Sequence, residues 1–127
     1  MTIPKRGEIF SCSLDPTVGS EQRGTRPVIV VSTDPFNEAL PLTTIVPVTT
    51  LRRDSERVYP SEALIPQGVG GLRSTSLAMC HHVRTVARAR LTRRIGSLPP
   101  EVMAMVDGAL AVHLQLERPV QPGPLGR

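Results

Sequence analysis

Apolar and polar positions divide the chain into a strand-rich body and a single late helix. Residues 6–14, Arg-Gly-Glu-Ile-Phe-Ser-Cys-Ser-Leu, alternate loosely and predict a first strand. At Asp15-Pro16 a polar stretch begins and runs through Gly24, rich in Gly, Ser, Gln and Arg. It predicts a loop, long for a compact domain, and such loops carry function or mobility. Residues 26–32, Arg-Pro-Val-Ile-Val-Val-Ser, are a continuous β-branched run and predict a buried strand. Residues 34–39 predict one helical turn, with Asp34 as cap and Pro35 at the first helical position. A second β-rich run spans 43–50, followed by the charged loop Arg52-Arg53-Asp54-Ser55-Glu56-Arg57. Residues 58–65 and 75–86 predict further strands, separated by a turn at Gly68-Val69-Gly70-Gly71.

From Pro99 the period changes. Val102, Val106, Ala109, His113 and Leu116 recur at helical spacing behind Pro99-Pro100, with Glu101 in the first turn, and predict an amphipathic helix ending near Glu117. The last ten residues, Arg118 to Arg127, carry three prolines and two glycines and predict disorder. The expected organisation is one domain over 1–117 and a Pro-rich tail over 118–127. Short antiparallel strands with a late helix predict a mainly β fold, a small and partly open barrel rather than a parallel α/β sheet.

At 127 residues the chain has the length of one domain. Its start, Met1-Thr2-Ile3-Pro4-Lys5-Arg6, has no apolar segment behind its charges, and no apolar run approaches the about 20 residues that span a bilayer. A cytoplasmic location without a membrane partner is therefore expected. The two cysteines, Cys12 and Cys80, form no CxxC pair and have no neighbouring ligand cluster. They read as buried free thiols acting as small apolar groups, and no metal site is expected.

Charge says more. Fifteen Lys+Arg against eleven Asp+Glu give +4, and fourteen of the fifteen cations are Arg, whose planar fork matches phosphate oxygens. A polyanionic partner is favoured; a GC-rich coding sequence with a solvated surface is the competing explanation. Phe10, Phe36 and Tyr59 are the whole supply of Phe, Tyr and Trp, too few for a platform on which bases stack. RNA binding would have to rely on hydrogen bonds and Arg.

The segment Gly19-Ser20-Glu21-Gln22-Arg23-Gly24-Thr25-Arg26-Pro27 feeds a flexible loop into the buried strand. Arg26 sits at that junction, anchored at its base and exposed at its tip, while Gly19 and Gly24 allow the backbone close to a ligand. The arrangement suits an anion site, and equally a structural salt bridge from Arg26 to Glu21.

Several runs together resemble the MazF/PemK family of bacterial toxins. They are Arg6-Gly7-Glu8-Ile9-Phe10, Leu14-Asp15-Pro16, Gly19-Ser20-Glu21-Gln22, Arg26-Pro27-Val28-Ile29-Val30-Val31-Ser32, Thr44-Ile45-Val46-Pro47-Val48-Thr49-Thr50, and Val83-Arg84-Thr85-Val86. Val106-Asp107 and Ala109-Leu110 extend the similarity into the helix. The resemblance implies an SH3-like barrel of the MazF/PemK/CcdB type, with five to seven strands, short helices and a C-terminal helix, dimerised about a two-fold axis. It implies a toxin of a type II toxin–antitoxin system that cleaves single-stranded RNA at short motifs without metal or other cofactor. A cognate MazE-like antitoxin would occupy the RNA groove, and operator DNA would be met only through the antitoxin complex. The implied reaction is attack by the RNA 2′-OH, leaving a 2′,3′-cyclic phosphate and a 5′-OH. The family's essential Arg falls on Arg26, its essential Thr on Thr50, and its supporting loop carboxylate on Glu21. Substrate contacts are expected from Ser20, Gln22, Thr49, Ser76 and His82.

The chemistry needs removal of the 2′-OH proton, charge neutralisation on the phosphorane, and protonation of the leaving oxygen. Arg26 suits the second role, since a preorganised cation stabilises developing charge and a guanidinium exchanges protons poorly. Thr50 can donate to a non-bridging oxygen; Glu21 can orient Arg26 or act as base. A one-residue shift would exchange Thr49 and Thr50. If His81 and His82 lie on a strand, they point to opposite faces and cannot both address one phosphate; His82 is the one placed toward the groove. Their presence, where the family has polar or acidic residues, leaves base specificity open. His113 is expected in the core or at a subunit contact. Arg52, Arg53 and Arg57 are either phosphate contacts or a solvated run, and Arg88, Arg90, Arg93 and Arg94 read as a solvated face. The alternative function is a non-enzymatic gyrase-binding toxin of the same fold, which lacks the Arg-Pro and Thr constellation. A degenerate toxin retaining only antitoxin binding is a third.

Overall fold

The computed structural model describes residues 2–52 and 57–116. Seven antiparallel strands form one strongly curled sheet that does not close into a full barrel. In chain order they are β1 (Glu8–Ser13), β2 (Thr25–Val30), β3 (Leu42–Thr50), β4 (Glu62–Ile65), β5 (Ser76–Met79), β6 (Arg84–Ala87) and β7 (Leu91–Ser97). Two helices complete the fold, α1 (Asp34–Ala39) and α2 (Pro100–Leu114). The sheet runs β4-β5-β3-β2-β1-β7, with β6 also paired to β3. β3 is the hub: residues 42–45 pair with β6 and residues 48–50 with β5.

β2 explains its own sequence. Ile29 packs into a core shared with Val46, Ile65, Val102 and Val106, while Val28 and Val30 pack on the other side with Leu14, Ile45, Val86 and Leu91. A strand buried on both faces reads as an unbroken apolar run. α2 covers the first core with Val102, Met103, Val106 and Ala109, all buried. It begins at Pro100, whose missing N–H costs nothing in the first turn, and ends with Gln115 in a left-handed cap. Arg6 ties this helix to the sheet: it pairs with Asp107 and donates from Nε to the Val31 carbonyl.

Several expectations are corrected. The run 75–86 is two strands broken by a 3-10 turn, Cys80–His82, where the Cys80 amide donates to the Ser61 carbonyl instead of to a ladder. The strand expected over 58–65 begins at Glu62. β7 was not anticipated, because its Arg93 and Arg94 read as solvated surface. Thr33, not Asp34, is the N-cap of α1; Asp34 accepts from the Arg6 amide. Arg88 and Arg90 are not a free solvated face: they donate to the carbonyls of Asn37 and Leu40, and of Ser13 and Asp15. The α2 periodicity holds to Ala109, but His113 and Leu116 are exposed, so His113 is not a core residue. The tail over 118–127 and the expected helix end at Glu117 lie outside the described residues. No helix among the described residues is long and apolar enough to cross a membrane.

Candidate active site

β2 and β3 pair only from Val28↔Pro47 to Val30↔Ile45. Beyond that point Pro27 and Pro47 offer no amide proton, and β3 turns to pair with β5. The parting opens a groove of about 450 Å³. Val48, Thr49 and Thr50 form its floor; Arg23, Thr25, Arg26 and Pro27 line one side, and Leu72, Arg73, Ser74 and Ser76 the other. Arg52 completes the rim. No carboxylate lines it among the described residues. Arg26 is held by one contact, Nε to the Arg23 carbonyl at 3.0 Å, and it forms no ion pair among the described residues. Arg23 is tethered in turn to the Gly19 carbonyl at 3.1 Å. Four arginines and three threonines suit a polyanionic strand: guanidinium groups can neutralise phosphate charge and hydroxyls can donate to phosphate oxygens.

A second, smaller pocket of about 160 Å³ is lined by Glu21, Gln22, Pro47, His81, His82, Val83 and Arg84. Pro47 and Thr49 point to the same face of β3, about 7 Å apart along the strand, so the two pockets are neighbours. Because residues 80–82 form a turn, both histidines line this pocket, ring centroids 4.5 Å apart. That overturns the expectation that they point to opposite faces. His81 also meets Ser61 Oγ at 3.3 Å and the exposed ring of His113 edge-on at 6.5 Å. The His82 pKa is lowered, first by burial and then by His81, with Glu21 opposing and His113 adding slightly. The neutral ring can both donate and accept a hydrogen bond. The Gln22 Oε1 is buried and unpaired.

The family of PemK-like, MazF-like toxins of type II toxin–antitoxin systems matches residues 5–114. The chain belongs to this family. It is 37% identical over 117 residues to the endoribonuclease MazF9 of Mycobacterium tuberculosis, covering 88% of this chain and 97% of that protein. Identity to the endoribonuclease EndoA of Bacillus subtilis is also 37%, over 114 residues, covering 90% and 97%. Among solved structures, MazF of Deinococcus radiodurans superposes with a TM-score of 0.77 at 27% identity, over 91% of this chain and all of that one. A mycobacterial endoribonuclease in complex with its cognate antitoxin superposes with a TM-score of 0.74 at 25% identity, over 91% and 99%.

Of the residues singled out through the MazF/PemK resemblance, the groove gathers Arg26, Thr49, Thr50 and Ser76. Thr49 and Thr50 both line it, at the end of β3. Glu21, Gln22 and His82 lie together in the second pocket, and Ser20 lines neither. The salt bridge between Glu21 and Arg26 does not form: Glu21 Oε1 accepts from the Val18 amide at 2.5 Å. Arg57 is engaged with the Tyr59 ring at 5.2 Å, and Arg53 lies outside the described residues. Sequence reasoning missed Arg73 and Ser74, and named Arg23 only as part of the loop. No local signal marked Arg73, because the turn before it is placed by long-range backbone contacts with β7. Both cysteines are buried and free as expected, with Cys80 pushed up to about 12 by burial first and by Asp107 and Glu62 next.

Proposed function

We propose that this toxin-family chain is a sequence-specific endoribonuclease that cleaves single-stranded RNA, including mRNA, by attack of the RNA's own 2′-OH, inhibiting translation and growth. The observation that carries the reading is the groove that Arg26 shares with the hydroxyls at the end of β3, lined by no carboxylate among the described residues. The bond from O2′ to phosphorus forms as the bond to O5′ breaks; O2′ gives up its proton and O5′ takes one up, giving a 2′,3′-cyclic phosphate and a 5′-OH. Arg26 neutralises charge on the phosphorane, and Thr50, with Thr49 beside it, donates to a non-bridging oxygen. Ser76, the register partner of Thr50, supports the same edge. Glu21 holds the turn from Val18 that presents Ser20 and Gln22 to the RNA, and Gln22 with His82 reads a neighbouring base. None of these roles calls for a metal.

The partners follow from the same surfaces. A segment of a MazE-like antitoxin rich in carboxylates would complement the arginine-lined groove and exclude RNA from it. A second copy of the chain would cover the apolar side of α2, where Met105 and Val112 are each about half exposed beside edge strand β4. The test of the enzymatic reading is Arg26→Ala, whose side chain holds only the Arg23 carbonyl. The variant should fold normally and lose about 100-fold or more in kcat. Cutting at the wild-type rate would remove Arg26 from the mechanism.

A further inference from the structure

The side of the groove away from Arg26 rests on an unusual support. The 3-10 turn Val69–Gly71 is closed by hydrogen bonds from the Gly68 amide to the Leu72 carbonyl and from the Leu72 amide to the Val69 carbonyl. It is pressed against β7 without any intervening side chain. A Cβ on Gly71 would stand 2.6 Å from the Ile95 carbonyl oxygen, and one on Gly96 only 2.3 Å from the Gly70 carbonyl oxygen. Leu72 is buried in the core, and the next residue, Arg73, emerges into the groove. On its far side the chain is pinned again, the Leu51 amide donating to the Thr75 carbonyl. Arg73 is therefore mounted on a rigid backbone between two anchors. It makes no hydrogen bond or ion pair among the described residues, unlike Arg84, Arg88 and Arg90, which brace carbonyls.

We infer that Arg73 holds a second phosphate of the RNA, the one next to the scissile phosphate at Arg26, and so sets the path of the strand across the groove. This rests on the nuclease reading above. β2 and the segment leading into β5 lie on opposite sides of β3, about 10 Å apart at two strand spacings, which fits guanidinium groups on successive phosphates better than two on one. A guanidinium without a partner or a lining carboxylate among the described residues, on a fixed stem, loses little by meeting phosphate and gains a charge-assisted, bidentate contact. Contacts of this kind position a strand and do not read its bases. Arg73 is a positioning residue, engaged equally in the ground and transition states, so it acts on KM and salt dependence rather than on kcat.

The experiment compares wild type, Arg73→Gln and Arg73→Lys on one labelled single-stranded RNA transcript in EDTA, over a range of salt. The Gln variant should unfold at the wild-type temperature, keep kcat and the cut motif, and raise KM about tenfold at low salt. Its log–log dependence of kcat/KM on salt should be shallower by about 0.7, the value of one phosphate contact on a single strand, and Lys should restore the slope. An unchanged slope, a fall in kcat at constant KM, or a relaxed cut motif would each overturn the assignment. Binding of the same transcript by anisotropy separates the two readings. A wild type that binds RNA without cutting it fails as a nuclease, yet the slope difference at Arg73 would still support the subsite. A wild type that neither binds nor cuts would sink both.

Discussion

Replacing Gly96 by alanine perturbs the fold at the point where β7 meets the turn beneath Arg73. The added methyl would lie 2.3 Å from the Gly70 carbonyl oxygen, 2.7 Å from its carbon and 3.2 Å from the Gly71 nitrogen. All three are backbone atoms, so no side chain can swing away, and either β7 or the turn must move. Overpacking costs about 1–3 kcal/mol, and a contact made wholly with backbone belongs at the upper end. For a domain of this size about 3 kcal/mol lowers Tm by roughly 12 °C. Gly24→Ala is the matched control: its φ of +79° strains any side chain, yet nothing lies within 4 Å of the added carbon. Only the left-handed backbone penalty of about 1 kcal/mol applies, roughly 4 °C in Tm. Thermal unfolding of the two variants beside wild type makes the comparison. Equal losses at the two positions would refute the claim that the turn is clamped onto β7.

Three further outcomes are expected. Arg26→Ala should keep the wild-type Tm while losing cleavage, a pairing read by calorimetry and gel assay on one preparation; a lowered Tm would give Arg26 a structural role the geometry does not show. His82 is held neutral in the fold, its pKa below the ordinary 6.5. Its contribution to stability is complete above that value and is lost as pH falls through the lowered folded pKa, so urea midpoints should fall in that window for wild type and less steeply for His82→Asn; parallel pH curves would contradict this. Sedimentation should show a dimer at micromolar protein, and Val112→Glu, on the exposed side of α2, should shift it toward monomer without unfolding; a wild-type monomer would end the dimer proposal.

Much of the scaffold was legible because burial leaves periodic traces. Val28 to Val30 are buried on alternate faces and read as one apolar run; Val102, Val106 and Ala109 recur because one side of α2 meets the sheet. β7 left no such trace: among its first four residues only Leu91 is buried, and Thr92, Arg93 and Arg94 face outward. The break at Cys80–His82 was hidden because its amide partner, Ser61, is distant in sequence. The bracing by Arg88 and Arg90 depends on carbonyls 48 to 77 positions away, which no local pattern encodes. Arg26 and Thr50 became candidates through family resemblance, the bare residues leaving a salt bridge to Glu21 equally open. Arg73 was illegible because a turn built on glycine contacts with β7 carries it to the groove.

The central claim is that the groove around Arg26 cuts RNA with the strand's own 2′-hydroxyl. The most direct measurement incubates the purified, antitoxin-free protein with a long single-stranded RNA in excess EDTA and determines the chemistry and sequence of every new end. Discrete cuts at a short motif, with 2′,3′-cyclic phosphate on one side and 5′-hydroxyl on the other, are the predicted result. Intact RNA from folded protein, or 5′-phosphate ends, would contradict it.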